Sequence, residues 1–216
     1  MSLVSVQSLT CEQATKLLFK DASFGIQEGD KLAVIGPNGS GKSTLLELIA
    51  GSIDATSSTI VTRNGLQISY LKQQLEFEPS HTIQDHLFQS KTPAALAYQE
   101  YQECLSRYQV SVNDDTEEAF NLASAKMDQL DAWAYESRVT SILSELDIDD
   151  LSQKMSDLSG GMLKKIALAQ FFFDSADLLI LDEPTNHLDV QTIEWLEGML
   201  KQSQSAILMV THDRYF

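Results

Sequence analysis

Basic residues are scarce in this chain. Fifteen lysines and arginines stand against 31 aspartates and glutamates over 216 residues, a formal net charge of −16. That balance argues against a nucleic-acid-binding surface, because phosphate contacts need Lys and Arg. It also weighs against peripheral binding to anionic membranes. Cysteine is nearly absent. Cys11 and Cys104 are far apart and isolated, which suits two free thiols in a reducing compartment better than a disulfide. No apolar run approaches the roughly 18 residues of a membrane span. The first ten residues, MSLVSVQSLT, lack the basic flank and long apolar stretch of a secretory signal. The expectation is a cytoplasmic protein. His81 and His86 have no cysteine and no His-x-x-His pairing beside them, so a zinc site there is not expected.

Hydrophobic residues make up 43% of the chain, enough for a globular core, and the length suits one domain with a subdomain. Residues 3–9 partly alternate as a strand does. Residues 31–35 (KLAVI) form a short apolar run that feeds a glycine loop, and helical composition follows over 43–50. Residues 58–61 and 67–71 read as short strands split by the turn signal Asn64-Gly65. Between Thr92 and Asp150 glycine disappears and Pro93 is the only proline. Apolar residues there fall at helical spacing, most clearly Val139, Ile142, Leu143 and Leu146. Residues 113–118 (NDDTEE) read as an acidic turn suited to a helix start. This stretch is a helical insert, either a packed subdomain or a projecting arm. Beyond it, a helix over 162–173, a strand LLIL (178–181), a helix over 190–200 and a strand AILMV (206–210) alternate. Such alternation predicts an α/β fold with a mostly parallel sheet.

The glycines that the insert lacks are concentrated in IGPNGSGKST, residues 35–44. Gly36, Pro37, Asn38, Gly39, Ser40, Gly41, Lys42 and Ser43 match G-x-x-x-x-G-K-[ST], with Thr44 next, after a predicted strand and before a predicted helix. Small residues let backbone N–H groups curl around phosphates, and the helix N-terminus favours their charge. Lys42 reaches the β- and γ-phosphates, and the Ser43 hydroxyl ligates Mg²⁺. An apolar strand ending in Asp182-Glu183 adds a carboxylate for Mg²⁺ and one to polarise water. Ser159, Gly160 and Gly161 open a predicted helix and read as a second anion site. Two phosphate-binding loops far apart suggest a nucleotide sandwiched between two such domains. His212 and Gln73 each follow a strand. Alone, they read as a structural histidine and a solvated glutamine.

The order of these motifs resembles an ATP-binding-cassette (ABC) ATPase domain along essentially the whole chain. Gly36–Ser43 corresponds to Walker A, Gln73 to the Q-loop, Leu158–Met162 to the signature, Leu178–Glu183 to Walker B, Asn186–Asp189 to the D-loop and His212 to the switch histidine. LDEPTNHLD (181–189), IEWLEGML (193–200) and residues 127–146 resemble the ABC-F family, proteins with two tandem ABC domains and no membrane domain. The resemblance implies a P-loop NTPase core over 1–91 and 155–216, an antiparallel β subdomain, and a helical subdomain or arm over 92–154. It implies binding of ATP and Mg²⁺, with Ser43, Asp182 and Gln73 around the metal. Glu183 would be the catalytic base, with Gln73 and His212 positioning water and γ-phosphate. The partners it implies are a second ABC domain and the ribosome. Members of that family continue past the position of Phe216, so an N-terminal fragment is expected. No tyrosine or tryptophan precedes Walker A, where ABC domains stack adenine; the nearest candidates are Gln13 and Phe19.

Three rival readings differ in class. A nucleotide-binding subunit of a membrane transporter fits the core motifs, but not the WLE stretch, the acidic insert or the net charge. An SMC-like head would need an insert of hundreds of residues. A non-hydrolysing binding module sits badly with an intact Glu183.

Overall fold

The computed structural model describes residues 1–13, 16–53 and 59–211. The chain divides into two compact units, Met1–Leu75 with Ser175–Phe216, and Glu76–Asp174.

The first unit holds two sheets. Strands β1 (Ser2–Gln13), β2 (Lys16–Gln27) and β4 (Thr59–Thr62) make an antiparallel sheet ordered β2-β1-β4. Strands β3 (Lys31–Val34), β5 (Ile68–Leu71), β6 (Leu178–Asp182) and β7 (Ala206–Val210) make a parallel sheet ordered β3-β7-β6-β5. Helix α1 (Lys42–Ile49) joins them in one core. Leu3, Val4, Val6, Leu9 and Ile26 come from the antiparallel sheet, Leu46, Leu48 and Ile49 from α1, and Leu178, Ile180, Ala206, Leu208 and Val210 from the parallel sheet. Leu179, Leu181, Ile207 and Met209, on the opposite face of β6 and β7, are buried too. Burial on both faces is why LLIL and AILMV are unbroken apolar runs. Helix α7 (Val190–Gln202) begins at Asp189, whose carboxylate accepts the Thr192 N–H at 2.8 Å.

Strand β2 and the far half of β1 are not foreseen from the residues. Their pairing shifts register after Ser2, Val6, Leu9 and Cys11, and Ser8 and Asp21 take positive φ of 50° and 53°. Each bulge resets the inside–outside alternation, so the two-residue period is lost to inspection.

The second unit is helical: α2 (Ile83–Leu87), α3 (Pro93–Val110), α4 (Asp114–Gln129), α5 (Trp133–Glu145) and α6 (Gly160–Phe173), with a short 3-10 turn over Met155–Asp157. Helix α3 starts on a Thr92 cap with Pro93 in the first turn. Helix α4 starts on an Asn113–Thr116 capping box, with Asp114, Asp115 and Glu117 complementing the helix dipole. The unit boundaries fall at 75/76 and 174/175, outside the 92–154 stretch expected to be helical. The reason is that α6 packs against α2 and α5, which draws both flanks of the insert into its own core. Phe88, Tyr98, Tyr135 and Phe173 form an aromatic cluster there, with ring centroids 5.7–6.4 Å apart. His86, 9% exposed, is buried in this unit. Burial, then the nearby His81, lowers its pKa.

Candidate nucleotide site

Strand register assembles the site in the first unit. Val34 at the end of β3 and Asp182 at the end of β6 both sit opposite Val210 of β7, which lies between them. Leu71, ending β5, sits opposite Leu181. Three chain segments therefore leave the same edge of the sheet together: the glycine loop, the turn after Asp182, and the segment carrying Gln73. Ligands of parallel sheets bind at this carboxyl edge.

The glycine loop is built for close approach. Gly39 and Gly41 have φ of 72° and 91°, the left-handed region that L side chains rarely adopt. Gly41 is also the N-cap of α1, and a Cβ placed on it would lie 2.9 Å from the Cβ of Leu18. Leu18 of β2 is thus a wall of the loop. The Lys42 ammonium donates to the carbonyls of Gly36 and Pro37 at 2.9 and 3.2 Å, folding its positive charge over the loop.

A cleft of about 280 Å³ is lined by Leu18, Asn38, Gly39, Gly41, Lys42, Ser43, Thr44, Gln73 and Glu183. The Glu183 Oε2 accepts two amide N–H groups, from Gln73 Nε2 at 3.1 Å and Asn186 Nδ2 at 2.6 Å. Its backbone φ of 47° turns the chain sharply off β6. Its N–H donates to the Val210 carbonyl at 2.9 Å, which ties that turn to the sheet. Asp182, one residue behind, is 1% exposed. Tyr70 of β5 feels that carboxylate: burial first, then the charges of Asp182 and Glu47, push its phenol up.

A buried carboxylate at the sheet edge, a hydroxyl at Ser43 and an amide at Gln73 are hard oxygen donors of the kind Mg²⁺ takes, alongside phosphate oxygens. Among the described residues no cluster of three or more His, Cys, Asp or Glu could hold a metal by itself.

Of the residues singled out from sequence, Asn38, Gly39, Gly41, Lys42, Ser43, Thr44, Gln73 and Glu183 line one cleft. Gly36, Pro37, Ser40 and Asp182 are not among the lining residues; the Gly36 and Pro37 carbonyls accept from Lys42, which is. Ser159, Gly160 and Gly161 lie in the helical unit at the start of α6, where the Ser159 hydroxyl accepts the Met162 N–H at 3.2 Å. His212 and the side chain of Gln13 lie outside the described residues. Phe19 packs against the core of the first unit. Leu18 and Asn186 were missed as site residues. No local signal marks Leu18, whose role follows from the long β1–β2 pairing. Asn186 stood within the recognised D-loop stretch, but its contact depends on the turn at Glu183.

The family model described as ABC transporter matches residues 19–186. The chain is 39% identical over 219 residues to the ABC transporter ATP-binding protein YfmR of Bacillus subtilis, covering all of this chain and 34% of that one. It is 29% identical over 201 residues to the energy-dependent translational throttle protein EttA of Mycobacterium tuberculosis, covering 93% of this chain and 36% of the other. Both relatives are of the ABC-F type. The chain spans about a third of the length of each. Among solved structures, an ATP binding subunit of an ABC transporter matches 97% of this chain and 79% of its own, at a TM-score of 0.70 and 26% identity.

Proposed function

The chain belongs to the ABC transporter family of ATP-binding domains, and from that premise we propose that it is an ABC-F-type cassette that binds Mg-ATP and hydrolyses it. The observation that carries this reading is the single cleft shared by the glycine loop, Gln73 and Glu183. The backbone N–H groups of the loop, Pro37 excepted, wrap the phosphates, and the Lys42 ammonium turns from the Gly36 and Pro37 carbonyls to the β- and γ-oxygens. Ser43, Asp182 and Gln73 would hold Mg²⁺, which would supply positive charge to offset the negative charge of the transferring phosphoryl group. Glu183 takes the proton of a water as the water oxygen attacks the γ-phosphorus and ADP leaves. His212, which follows β7 in the chain, takes the role of the switch histidine toward the γ-phosphate. Ser159–Gly161 serve the nucleotide of a second ABC domain, so each site is completed by a partner cassette. In this reading residues 1–91 and 155–216 form the catalytic body, and 92–154 a helical subdomain or arm.

The whole protein works in the cytoplasm with the ribosome as its partner. One relative is a translational throttle protein by name, and among the described residues no helix is long and apolar enough to cross a membrane. The test is Glu183→Gln, which is nearly isosteric but takes no proton. It should leave Mg-ATP affinity intact and slow turnover about 10²-fold or more. Unchanged single-turnover rates would remove Glu183 from the role of base.

A further inference from the structure

We propose that Asn186 is a positioning residue for Glu183, holding the carboxylate of the catalytic base in the orientation that accepts a proton from water. The inference rests on the assignment of Glu183 as the base.

A glutamate at a turn has three side-chain torsions, and a general base must stay within about 2.6–3.2 Å of the proton it takes. Two amides converge on one oxygen of Glu183. Gln73 comes from the segment after β5, and Asn186 from the turn that Glu183 itself begins. The Asn186 bond is the shorter, 2.6 Å against 3.1 Å. Amide donors hold a carboxylate without taking its place as proton acceptor, and a hydrogen bond to an ionised group is the stronger kind. The two donors also differ in what else they must do. Gln73 is assigned a share of the metal and the water, so its amide cannot be devoted to the base. Asn186 carries no such duty.

The backbone makes Asn186 a dependable anchor. Its N–H donates to the Glu183 carbonyl at 3.3 Å, and Leu188 N–H donates to the Thr185 carbonyl at 3.3 Å. His187 takes a φ of 65°. At one end the segment is tied to β7 through Glu183 N–H, and at the other Asp189 caps α7 by accepting from Thr192. The turn that throws Glu183 off the sheet with positive φ therefore also returns Asn186 to its carboxylate.

The experiment is a double-mutant cycle on the intact protein, reading single-turnover ATP hydrolysis and Mg-ATP affinity for wild type, Asn186→Ala, Glu183→Gln and the double variant. A base misplaced by a fraction of an ångström costs rate, not binding. Asn186→Ala is expected to lower the hydrolysis rate about tenfold, with affinity within about twofold of wild type. In the Glu183→Gln background the same change should have no further effect, because the carboxylate it steers is gone. Asn186→Asp, equal in size but with no amide to donate, should lower the rate at least as far as Asn186→Ala and keep the wild-type melting temperature. Equal losses in both backgrounds would make Asn186 a structural turn residue and overturn the proposal, as would a wild-type rate for Asn186→Ala. If Glu183→Gln itself turned over at the wild-type rate, the base assignment would fall, and the positioning role with it.

Discussion

Replacing Gly41 by alanine tests the geometry of the loop apart from any nucleotide. Two costs follow from the structure. Gly41 sits at φ 91°, where an L side chain costs about 1–2 kcal/mol in backbone strain. The added Cβ would also meet Leu18 Cβ at 2.9 Å, Leu18 Cδ1 at 3.1 Å and Phe19 Cδ1 at 3.3 Å. The nearest of these atoms is the least able to move, since a Cβ goes where its strand goes. Forcing a methyl into a filled site costs roughly 1–3 kcal/mol, so strain and overpacking together cost about 2–5 kcal/mol. Gly29 separates the two terms: its φ is 78°, with nothing within 4 Å of its would-be Cβ. Gly29→Ala should cost only the strain, about 1–2 kcal/mol. Urea unfolding of both variants, extrapolated linearly to water, measures the difference. Gly41→Ala should also lose Mg-ATP affinity, while Gly29→Ala should not. If the two variants lost equal stability, Leu18 would not be pressed against the loop and the wall assigned to it would be wrong.

Three further outcomes are expected. Lys42→Ala removes the only cation in the loop and should weaken Mg-ATP binding by about tenfold or more, about 1.4 kcal/mol by calorimetry; wild-type affinity would sink the phosphate-loop assignment. With no tyrosine or tryptophan ahead of the loop and Phe19 partly buried against the core, the triphosphate should dominate binding, since base stacking adds only about 1–3 kcal/mol. GTP should then compete with ATP within about tenfold, and a strong ATP preference in a competition assay would mean that an aromatic side chain reaches the base. The pKa of His86 is lowered by burial and by His81, so the unfolded chain binds the proton more readily than the folded one. Its contribution to stability is full above its ordinary value of about 6.5 and is lost as pH falls through the lowered one. Urea midpoints between pH 7.5 and 5.5 should therefore fall in the wild type and fall less in His86→Leu; equal slopes would refute the buried neutral imidazole.

Much of the architecture was legible because some residues answer to local rules alone. LLIL and AILMV can only be strands buried on both faces. Residues 113–118 announce a helix start through acidic side chains that complement the helix dipole within its first turn. Strand β2 was not legible, since its bulges are fixed by pairing to β1. The short α2 was not either, as five residues carry too little periodicity to stand out. The compact-unit boundaries at 75/76 and 174/175 were not legible, because what draws α6 into the helical unit is its packing against α2 and α5, which no stretch of sequence displays by itself.

The sequence by itself determined the chemistry on offer: a glycine loop with one lysine and a hydroxyl, an apolar strand ending in two carboxylates, and a family resemblance carried by motif order. These are matters of residue type at short spacing, where the backbone leaves few choices. Only the tertiary structure decided how the pieces meet. Val34 and Asp182 share Val210 as a neighbour because β7 lies between β3 and β6. Leu18 closes the loop because β2 runs beside Gly41, and Asn186 reaches Glu183 because one residue takes a positive φ. Register, close approach and a left-handed turn are settled by partners distant in the chain or by a single strained torsion that the rest of the fold holds in place. Residue types show neither in advance.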